Sequence, residues 1–521
     1  QRIAAAQRVR WVLCALVPSS LLLGVTSHIT TNLAAAPLLW VIPLATYLLT
    51  FVLVFARKPP LSHTLMVRLF PFVVVLSAPL FFVTLTGLEI RVLVFHLVMF
   101  FVAAMLCHGE LVRTRPDPRH LTEFYLWIAV GGLCGGMLNT LLAPLLFTNV
   151  IEYPLMMVAA CALRPPAGPA ANRPGYPWLD WVGPLLLAAF ALGLVAAFRA
   201  IGWGGTWLGV AILYVTTGAA CLVLRKRPTG FALGYAAALL ALSLHVRVGE
   251  GRQLHAARNF FGVKRVVASD NGALHSLYHG TTVHGMQRPG LRYGREPLAY
   301  YHRGGPFDDV LDAARMRSAP LTAGLVGLGA GALAAYAERG DHFTFYELDP
   351  GVADIAANPR FFTYLRDCQG TVDVVLGDAR RMLANAADGQ FDLLVLDAYS
   401  SDAIPTHLLS REAMQLYVSK VTADGVLAFH ITNRFLDLQP VLARLAEDAG
   451  LTCLIREETS DELSEAAQAF GAQRAVVVVI ARKPDAFGLL VDHAKWRQLP
   501  RSPDTPLWTD EYSSVLSVLH R

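Results

Sequence analysis

Cysteine and charge are both scarce in this sequence. The chain has seven Cys in 521 residues, and none of them forms a Cys-x-x-Cys pair. The sequence therefore predicts neither a disulfide framework nor a thiolate zinc site. Charged residues make up 16% of the chain and hydrophobic residues 54%, a balance that excludes an ordinary soluble protein over the whole length.

The apolar excess is concentrated in the first half of the chain. A bilayer core needs about 20 apolar residues per helix, and eight or nine runs approach that length. We therefore predict an α-helical multi-pass membrane domain at 1–250, a small antiparallel β-hairpin unit on the substrate side at 251–310, and an α/β Rossmann-like domain at 311–521. The candidate spans are 10–29, 35–55, 64–86, 91–107, 121–147, 150–164, 178–198, 205–224 and 229–247.

Short basic loops separate these apolar runs and carry much of the net charge of +5. The loops "ARKPP", "VRTRPDPR", "LRPPAGPAANRP" and "RKRP" fall on one side when the crossings are counted, which predicts a cytoplasmic side and no nucleic-acid surface. The last run, 229–247, holds only the short apolar stretch "FALGYAAALLALSL", followed by His245 and Arg247. We interpret it as a re-entrant or interfacial segment, which leaves eight crossings and a cytoplasmic soluble domain; a ninth crossing would place that domain outside.

A β-hairpin is predicted where the composition becomes polar. The stretch "GVKRVVASDNGALHSLYH" reads as two short strands around an Asp-Asn-Gly turn. His and Tyr side chains are dense in and after this unit, and we expect a polar face near a substrate pocket, without a metal. The substrate-binding candidates are His279, His284, Tyr300 and Tyr301.

Strand and helix patterns then alternate, which predicts a mostly parallel doubly wound sheet with its ligand at the carboxyl ends of the strands. Strands are predicted at 322–327, 343–348, 371–376, 391–397, 424–432, 452–457 and 475–480. A glycine turn, Gly327-Leu328-Gly329-Ala330-Gly331, follows the first of these strands and is predicted to open a helix.

Acidic residues lie at or directly after the ends of three successive predicted strands, the second, third and fourth. Glu347 lies twenty residues after Gly327, where a carboxylate can accept hydrogen bonds from both ribose hydroxyls. Asp378 follows the third strand, and Asp397 ends the fourth, with Tyr399 and Asp402 close behind. Enzymes that bind NAD have no general need for acids at the third and fourth strand ends. An adenosyl sulfonium ligand can use them, one near the adenine amino group and one near the sulfonium or the incoming amine.

Residues 255–521 resemble the spermidine synthase family of polyamine aminopropyltransferases. The matching features are the β-hairpin unit, the glycine turn with Glu347, "GDAR", "DAYSSDAIPTHLLSREAMQLYVSKVTADGVLAFHI" and "LWTDEYSSVL". With "VPSSLLLGVTSHITTN" in the apolar half included, the chain is similar to the bacterial membrane-fused, major-facilitator-like spermidine synthases. This resemblance implies a multi-pass protein of the bacterial inner membrane with a role in polyamine biosynthesis, and it leaves open a homodimer or a larger membrane assembly.

The resemblance also implies roles for individual residues. It places the donor against Gly327, Gly329, Gly331, Glu347, Asp378 and Ala379. Asp397 would handle the attacking amine, assisted by Tyr399, Asp402 or Asp510. The implied reaction moves an aminopropyl or related group from decarboxylated or intact S-adenosylmethionine to a small amine or polyamine.

One departure from the family pattern keeps the donor open. The family has Asp inside the glycine turn, associated with the aminopropyl end of the donor, and this chain has Ala330. A small-molecule methyltransferase on the same fold is therefore an alternative. A transporter, sensor or complex subunit with a nucleoside-binding domain is a second alternative, from a different functional class.

Overall fold

The computed structural model describes residues 3–32, 39–82, 89–166, 178–204, 206–249, 251–269, 272–280, 282–290, 294–398, 405–433, 436–459 and 461–519. The chain divides into two compact units, Gln1–Arg252 and Gln253–Arg521. The named elements up to Gly249 are all helices, and the described strands begin at Arg252, on the boundary with the second unit. Each unit has its own buried apolar core.

The described part of the first unit has seven helices that are long and apolar enough to cross a membrane. These segments are Ala5–Thr30, His63–Phe81, Ile90–Arg113, Pro118–Leu146, Leu179–Ala200, Trp207–Lys226 and Pro228–Val246. Two further apolar helices, Val41–Phe55 and Glu152–Leu163, have 15 and 12 residues. At 1.5 Å per residue they reach only about 22 and 18 Å, less than the roughly 30 Å of a bilayer core. The described helices thus give seven spans of sufficient length where the sequence predicts eight or nine.

The last helix of this unit differs in length from what the sequence predicts for 229–247. Pro228–Gly249 is one continuous helix of 22 residues, so the segment is not too short to span. The helix begins at Pro228, a favourable first position, and continues through His245, which is fully buried. The apolar stretch alone therefore underestimates the length of the helix, and the argument from length for a re-entrant segment is wrong.

Small residues bring the first and fourth of these long segments close together. A Cβ atom at Gly131 would lie 2.4 Å from the carbonyl oxygen of Val12, and one at Gly135 would lie 2.5 Å from that of Leu16. Two glycines four residues apart share one helix face, so the backbones approach as in a small-xxx-small packing motif. The motif in "GGLCGGMLN" therefore explains why Ala5–Asn32 packs against Leu121–Met137.

The second unit begins with a four-stranded sheet in the order β1-β2-β3-β4. Its strands are β1 (Arg252–Asn259), β2 (Gly262–Ala268), β3 (His275–His279) and β4 (Thr282–Gln287). Strands β2, β3 and β4 pair antiparallel, and Lys264 lies opposite His279. The predicted turn residues Asp270 and Asn271 lie outside the described residues.

An eight-stranded sheet forms the rest of the unit, in the order β12-β10-β11-β9-β8-β5-β6-β7. The strands are β5 (Thr322–Val326), β6 (His342–Glu347), β7 (Thr371–Leu376), β8 (Phe391–Leu396), β9 (Val421–His430), β10 (Thr452–Glu457), β11 (Val476–Ala481) and β12 (Arg497–Gln498). The first seven begin and end within three residues of their predicted limits.

The central strands β5 to β9 are parallel, whereas β11, β10 and β12 pair antiparallel to their neighbours. The strand order reverses on either side of β5, and a crevice at the carboxyl ends of the strands is expected at such a point. Helices flank the sheet at Pro306–Arg317, Pro350–Ala357, Ala379–Ala384, Arg411–Lys420, Gln439–Asp448 and Glu465–Ala469, with shorter 3₁₀ turns at Ala332–Tyr336, Thr406–Leu408, Pro484–Leu490 and Val515–Val518.

Candidate active site

The glycine turn after β5 is shaped by close backbone contacts. Gly327 has φ +97° and Gly329 has φ +53°, so both lie in the left-handed region that favours glycine. A Cβ at Gly327 would lie 2.2 Å from the carbonyl oxygen of Asp397, and one at Gly329 would lie 2.3 Å from that of His284. The glycines therefore let the turn pack against the end of β8 and against β4, and they leave backbone at the crevice.

The helix predicted after this turn is only a 3₁₀ turn, Ala332–Tyr336. At its end the Arg315 guanidinium donates to the Tyr336 carbonyl (2.8 Å), and the Tyr336 hydroxyl donates to the Tyr301 carbonyl (2.7 Å). Gly331 introduces this turn and packs against Leu365, away from the crevice. No long helix therefore starts at the glycine turn to offer its N-terminus to a pyrophosphate.

Glu347 ends β6 and holds the glycine turn in place. The Leu328 N–H donates to its Oε2 (3.0 Å), and the Asp349 N–H donates to its Oε1 (2.8 Å). Burial raises the pKa of the Glu347 carboxyl, and these N–H donors act in the opposite direction. The Leu348 N–H acts on the carboxylate as well. The two oxygens have about four acceptor positions between them, so capacity remains for a ligand hydroxyl.

A buried lysine adjoins this acid, and no motif in the sequence indicates it. Lys264, on β2, forms an ion pair with Asp349 and donates to Oδ1 of Asn259 (2.6 Å). The Asn259 amide donates in turn to Asp349 Oδ1 (2.5 Å). Burial lowers the pKa of Lys264, and its pairing with Asp349 opposes that shift. This polar group ties the small sheet to the end of β6.

Asp378 follows β7 and begins the helix Ala379–Ala384. Its Oδ1 accepts a hydrogen bond from the Arg381 N–H (3.0 Å), which makes it the N-cap of that helix. Its Oδ2 lies 3.3 Å from Nε2 of His407, a residue that the sequence did not single out. Capping uses one oxygen, so the other faces the crevice beside His407.

Asp397 follows β8 and is largely enclosed at the crevice. Its side chain is 9% exposed. The Tyr301 hydroxyl donates to Oδ2, and Nδ1 of His430 lies 2.6 Å from Oδ1. Tyr300 is close as well, with its ring centroid 5.0 Å from that of His430. The structure thus joins Asp397 to the predicted Tyr301 and to His430, which sequence reasoning missed although it lies in the quoted "VLAFHI".

His279 and His284 line the side of the crevice formed by the small sheet. Their ring centroids are 5.6 Å apart. Burial lowers the pKa of both imidazoles to about 4. Both rings are therefore neutral at pH 7 and can accept a hydrogen bond from a substrate N–H.

Asp510 does not join this group. Arg380 binds its carboxylate through two N–H groups (2.6 and 2.7 Å), and the Ser410 hydroxyl donates to it (2.6 Å). These two partners lower the pKa of Asp510 to about 2. The carboxylate therefore fixes the C-terminal segment and is a poor proton acceptor. Tyr399 and Asp402 lie outside the described residues.

One cleft connects these features and encloses about 880 Å³ of space, including its open mouth. Its lining includes eight of the predicted residues, namely Gly327, Gly329, Glu347, Asp378, Ala379, Asp397, His279 and His284. It also includes Phe261, Lys264, Leu348, Val352, His407 and Leu408. Within the described ranges, no three His, Cys, Asp or Glu side chains are arranged to hold a metal ion. The cleft can hold a flat apolar ring system with polar groups at both ends.

Comparison with known proteins points to one group of enzymes. The chain is 35% identical over 116 residues to the polyamine aminopropyltransferase of Vibrio vulnificus strain CMCP6. It is similar to an aminopropyltransferase. That match spans 21% of this chain and 36% of the relative, which is less than two thirds of the relative's length. No family profile matches the chain.

Solved structures with a similar fold have low sequence identity to the chain. Spermidine synthase from Thermotoga maritima is 12% identical, with a TM-score of 0.32, over 50% of this chain and 82% of that one. A TehB-like SAM-dependent methyltransferase from Corynebacterium glutamicum is 18% identical, with a TM-score of 0.23, over 34% and 90%.

Proposed function

We propose that this protein is a membrane-anchored, spermidine-synthase-like transferase that moves an alkyl group, of the aminopropyl kind, from an adenosyl sulfonium donor to an amine. The observation that carries the proposal is the ordered set Glu347, Asp378 and Asp397 around one cleft, with Tyr301 and His430 on the last acid. The similarity to the Vibrio vulnificus polyamine aminopropyltransferase supports the same reaction class.

The residues around the cleft suit the parts of such a donor. Glu347 and the turn at Gly327 and Gly329 would hold the ribose, and Asp378 would accept from the adenine amino group. The apolar side chains of Leu348 and Val352 line the same cleft and would cover the faces of the adenine ring. In the donor, the carbon to be transferred is bonded to a sulfonium sulfur. When an amine nitrogen bonds to that carbon, the carbon–sulfur bond breaks and the sulfur leaves as a neutral thioether.

Asp397 is the residue that takes part in proton transfer in this scheme. An amine is protonated at pH 7 and must lose a proton before its lone pair can attack carbon. Asp397 attracts the ammonium, holds it near the donor and accepts its proton before the nitrogen lone pair bonds to carbon. Tyr301 fixes one oxygen of the carboxylate, so the lone pair that meets the amine has a set direction.

Ala330 bears on the identity of the donor. Its side chain is 1% exposed and lies in an apolar cluster with Val266 and Leu277. An acid at this position would be a buried carboxylate. Because the residue is Ala, this chain lacks the group that the family uses beside the aminopropyl end. Both decarboxylated and intact S-adenosylmethionine are therefore donors to test. Methyl transfer from intact S-adenosylmethionine is the second candidate function.

Turnover with paired donors and amines tests the proposal. The purified protein in detergent should convert a diamine and decarboxylated S-adenosylmethionine to an aminopropylated amine and methylthioadenosine, detected by mass spectrometry. Formation of S-adenosylhomocysteine and a methylated product from the intact donor would favour the methyltransferase. Saturable donor binding with no product from a panel of diamines, polyamines and small phenols would contradict the transferase and favour a sensor or subunit.

We further propose that the protein lies in the bacterial inner membrane with its second unit in the cytoplasm, where S-adenosylmethionine is made. The basic loops support this orientation when the two short helices, Val41–Phe55 and Glu152–Leu163, also cross, which gives eight crossings before Pro228; a further crossing at Pro228–Val246 would oppose it. The acceptor is then a cytoplasmic small amine or polyamine, and the partners are the lipid bilayer and a second copy or larger membrane assembly.

A cysteine at position 316 should report the side directly. Met316 is 70% exposed on the second unit, so Met316→Cys offers a reactive thiol once Cys368 and Cys453 are replaced by Ser. An impermeant maleimide should label it only after intact cells are lysed, because the bilayer separates the reagent from the cytoplasm. Prompt labelling of intact cells, with an equal extent after lysis, would place the unit outside.

A further inference from the structure

We propose that His430 is a positioning residue for the transfer reaction, held in one tautomer between Asp397 and Thr432, and that it keeps the Asp397 carboxylate aimed at the amine. This inference rests on the proposed function for its catalytic consequence. The tautomer itself is a property of the protein alone and can be measured separately.

His430 ends β9 beside the end of β8, where the two parallel strands bring its ring to Asp397. Its side chain is 4% exposed, and that of Asp397 is 9% exposed. Nδ1 of His430 lies 2.6 Å from Oδ1 of Asp397, and Nε2 lies 2.7 Å from Oγ1 of Thr432. Both ring nitrogens thus have polar partners inside the protein.

A contact with the neighbouring strand β11 determines how the Thr432 hydroxyl can hydrogen-bond to His430. The Val476 N–H donates to Oγ1 of Thr432 (2.8 Å), while the Val476 carbonyl accepts from the Ile431 N–H (2.9 Å). These two bonds hold the chain just after β9 against the start of β11. The Thr432 hydroxyl therefore already accepts a backbone hydrogen bond, and its single proton is available to Nε2 of His430.

The two possible neutral tautomers of His430 differ strongly in energy at this site. With the proton on Nδ1, the ring donates to the Asp397 carboxylate and accepts from the Thr432 hydroxyl, so every polar atom is satisfied. With the proton on Nε2, a nitrogen lone pair would face a carboxylate oxygen at 2.6 Å, and two acceptors at that distance repel. The contacts therefore select the Nδ1–H tautomer.

The consequence is a carboxylate with one fixed donor on each oxygen. Tyr301 holds Oδ2 and His430 holds Oδ1, which prevents rotation of the carboxylate about its Cβ–Cγ bond. Each oxygen keeps a second lone pair for a substrate N–H. His430 does not line the cleft, so it acts through Asp397 and not on the substrate.

Two variants with matched controls test the role in catalysis. His430→Leu removes the donor to Asp397, and Thr432→Val removes the hydroxyl that meets Nε2 of His430. Each should lower kcat about ten- to thirty-fold, within the range expected for a badly positioned base, while the dissociation constant for the thioether product changes less than two-fold. His430→Asn restores a donor near the Nδ1 position, and Thr432→Ser restores the hydroxyl, so both should recover most of kcat. A loss of product binding in step with kcat, or wild-type kcat in Thr432→Val, would overturn the proposal.

Nitrogen-15 NMR of histidine-labelled protein tests the tautomer whether or not turnover is found. His430 should show a protonated Nδ1 and an unprotonated Nε2 at pH 7, assigned by difference from His430→Asn. Thr432→Val should shift the Nε2 signal, because that lone pair loses its hydroxyl donor, and Thr432→Ser should retain the wild-type shift. An Nε2–H tautomer in the wild type would overturn the proposal even if transfer is observed, whereas absent turnover with the Nδ1–H tautomer would count against the proposed function alone.

Discussion

Replacing Asp397 by Asn should lower turnover about 10²–10⁴-fold, the usual range for losing a general base, while donor affinity changes by no more than a few-fold. Asn keeps the shape and can still accept from one of the two partners, Tyr301 or His430. It cannot attract an ammonium or accept its proton. Single-turnover rates and product binding, measured on the same preparation, separate the chemical step from the binding step.

Asp510→Asn is the matched control for this change. Asp510 is also an Asp near the carboxyl ends of the strands, but its carboxylate is bound by Arg380 and lies outside the cleft lining. Its loss should leave turnover within about three-fold, because an exposed ion pair contributes only about 0–1 kcal/mol to stability. If Asp397→Asn retains full turnover, Asp397 is not the base; if both variants lose turnover equally, loss of folded protein explains both.

Glu347→Ala should weaken binding of the nucleoside product by about 2–4 kcal/mol, which is roughly 30- to 1,000-fold. Two ribose hydroxyls would lose a charged acceptor. The N–H groups of Leu328 and Asp349 would also lose theirs, so the glycine turn would relax. The measurement is calorimetric titration with methylthioadenosine and with S-adenosylhomocysteine.

Glu338→Ala provides the control for a lost carboxylate. Glu338 follows the glycine turn by a few residues, and its side chain is 63% exposed outside the cleft. Nucleoside affinity should be unchanged in that variant. An affinity in Glu347→Ala equal to that of the wild type would remove Glu347 from the ribose site, and the assignment of the cleft with it.

The placement of the acids was predictable because a parallel sheet converts sequence order into position. Glu347, Asp378 and Asp397 each follow a short apolar strand, and the carboxyl ends of parallel strands meet at one edge. The glycine turn was predictable for the same reason, since Gly327 directly follows β5. These features depend on local patterns of a few residues, which can be read directly from the sequence.

The partners of the acids were not predictable in the same way. Tyr301 lies 96 positions before Asp397 and His430 lies 33 after it, so their meeting depends on how separate elements pack. Lys264 and Asp349 are also far apart in sequence, and no motif predicts their pairing. Such contacts become visible only when side-chain positions are known.

One sequence prediction differs from the structure. The helix expected after the glycine turn is a short 3₁₀ turn, and groups from other elements contact its last residue, Tyr336. Asp510 stays a predicted assistant to Asp397, and its carboxylate is bound by Arg380 from 130 positions away. These contacts involve long-range partners that a local pattern does not reveal.

The central claim is that the cleft bordered by Glu347, Asp378 and Asp397 binds an adenosyl thioether or sulfonium. Calorimetric titration of the intact protein in detergent, with methylthioadenosine, S-adenosylhomocysteine and NAD compared side by side, tests this most directly. We predict saturable one-site binding of at least one of the two thioethers, a loss of that binding in Glu347→Ala, and no binding of NAD. Binding of NAD with neither thioether bound, or no binding of any of the three, would contradict the account.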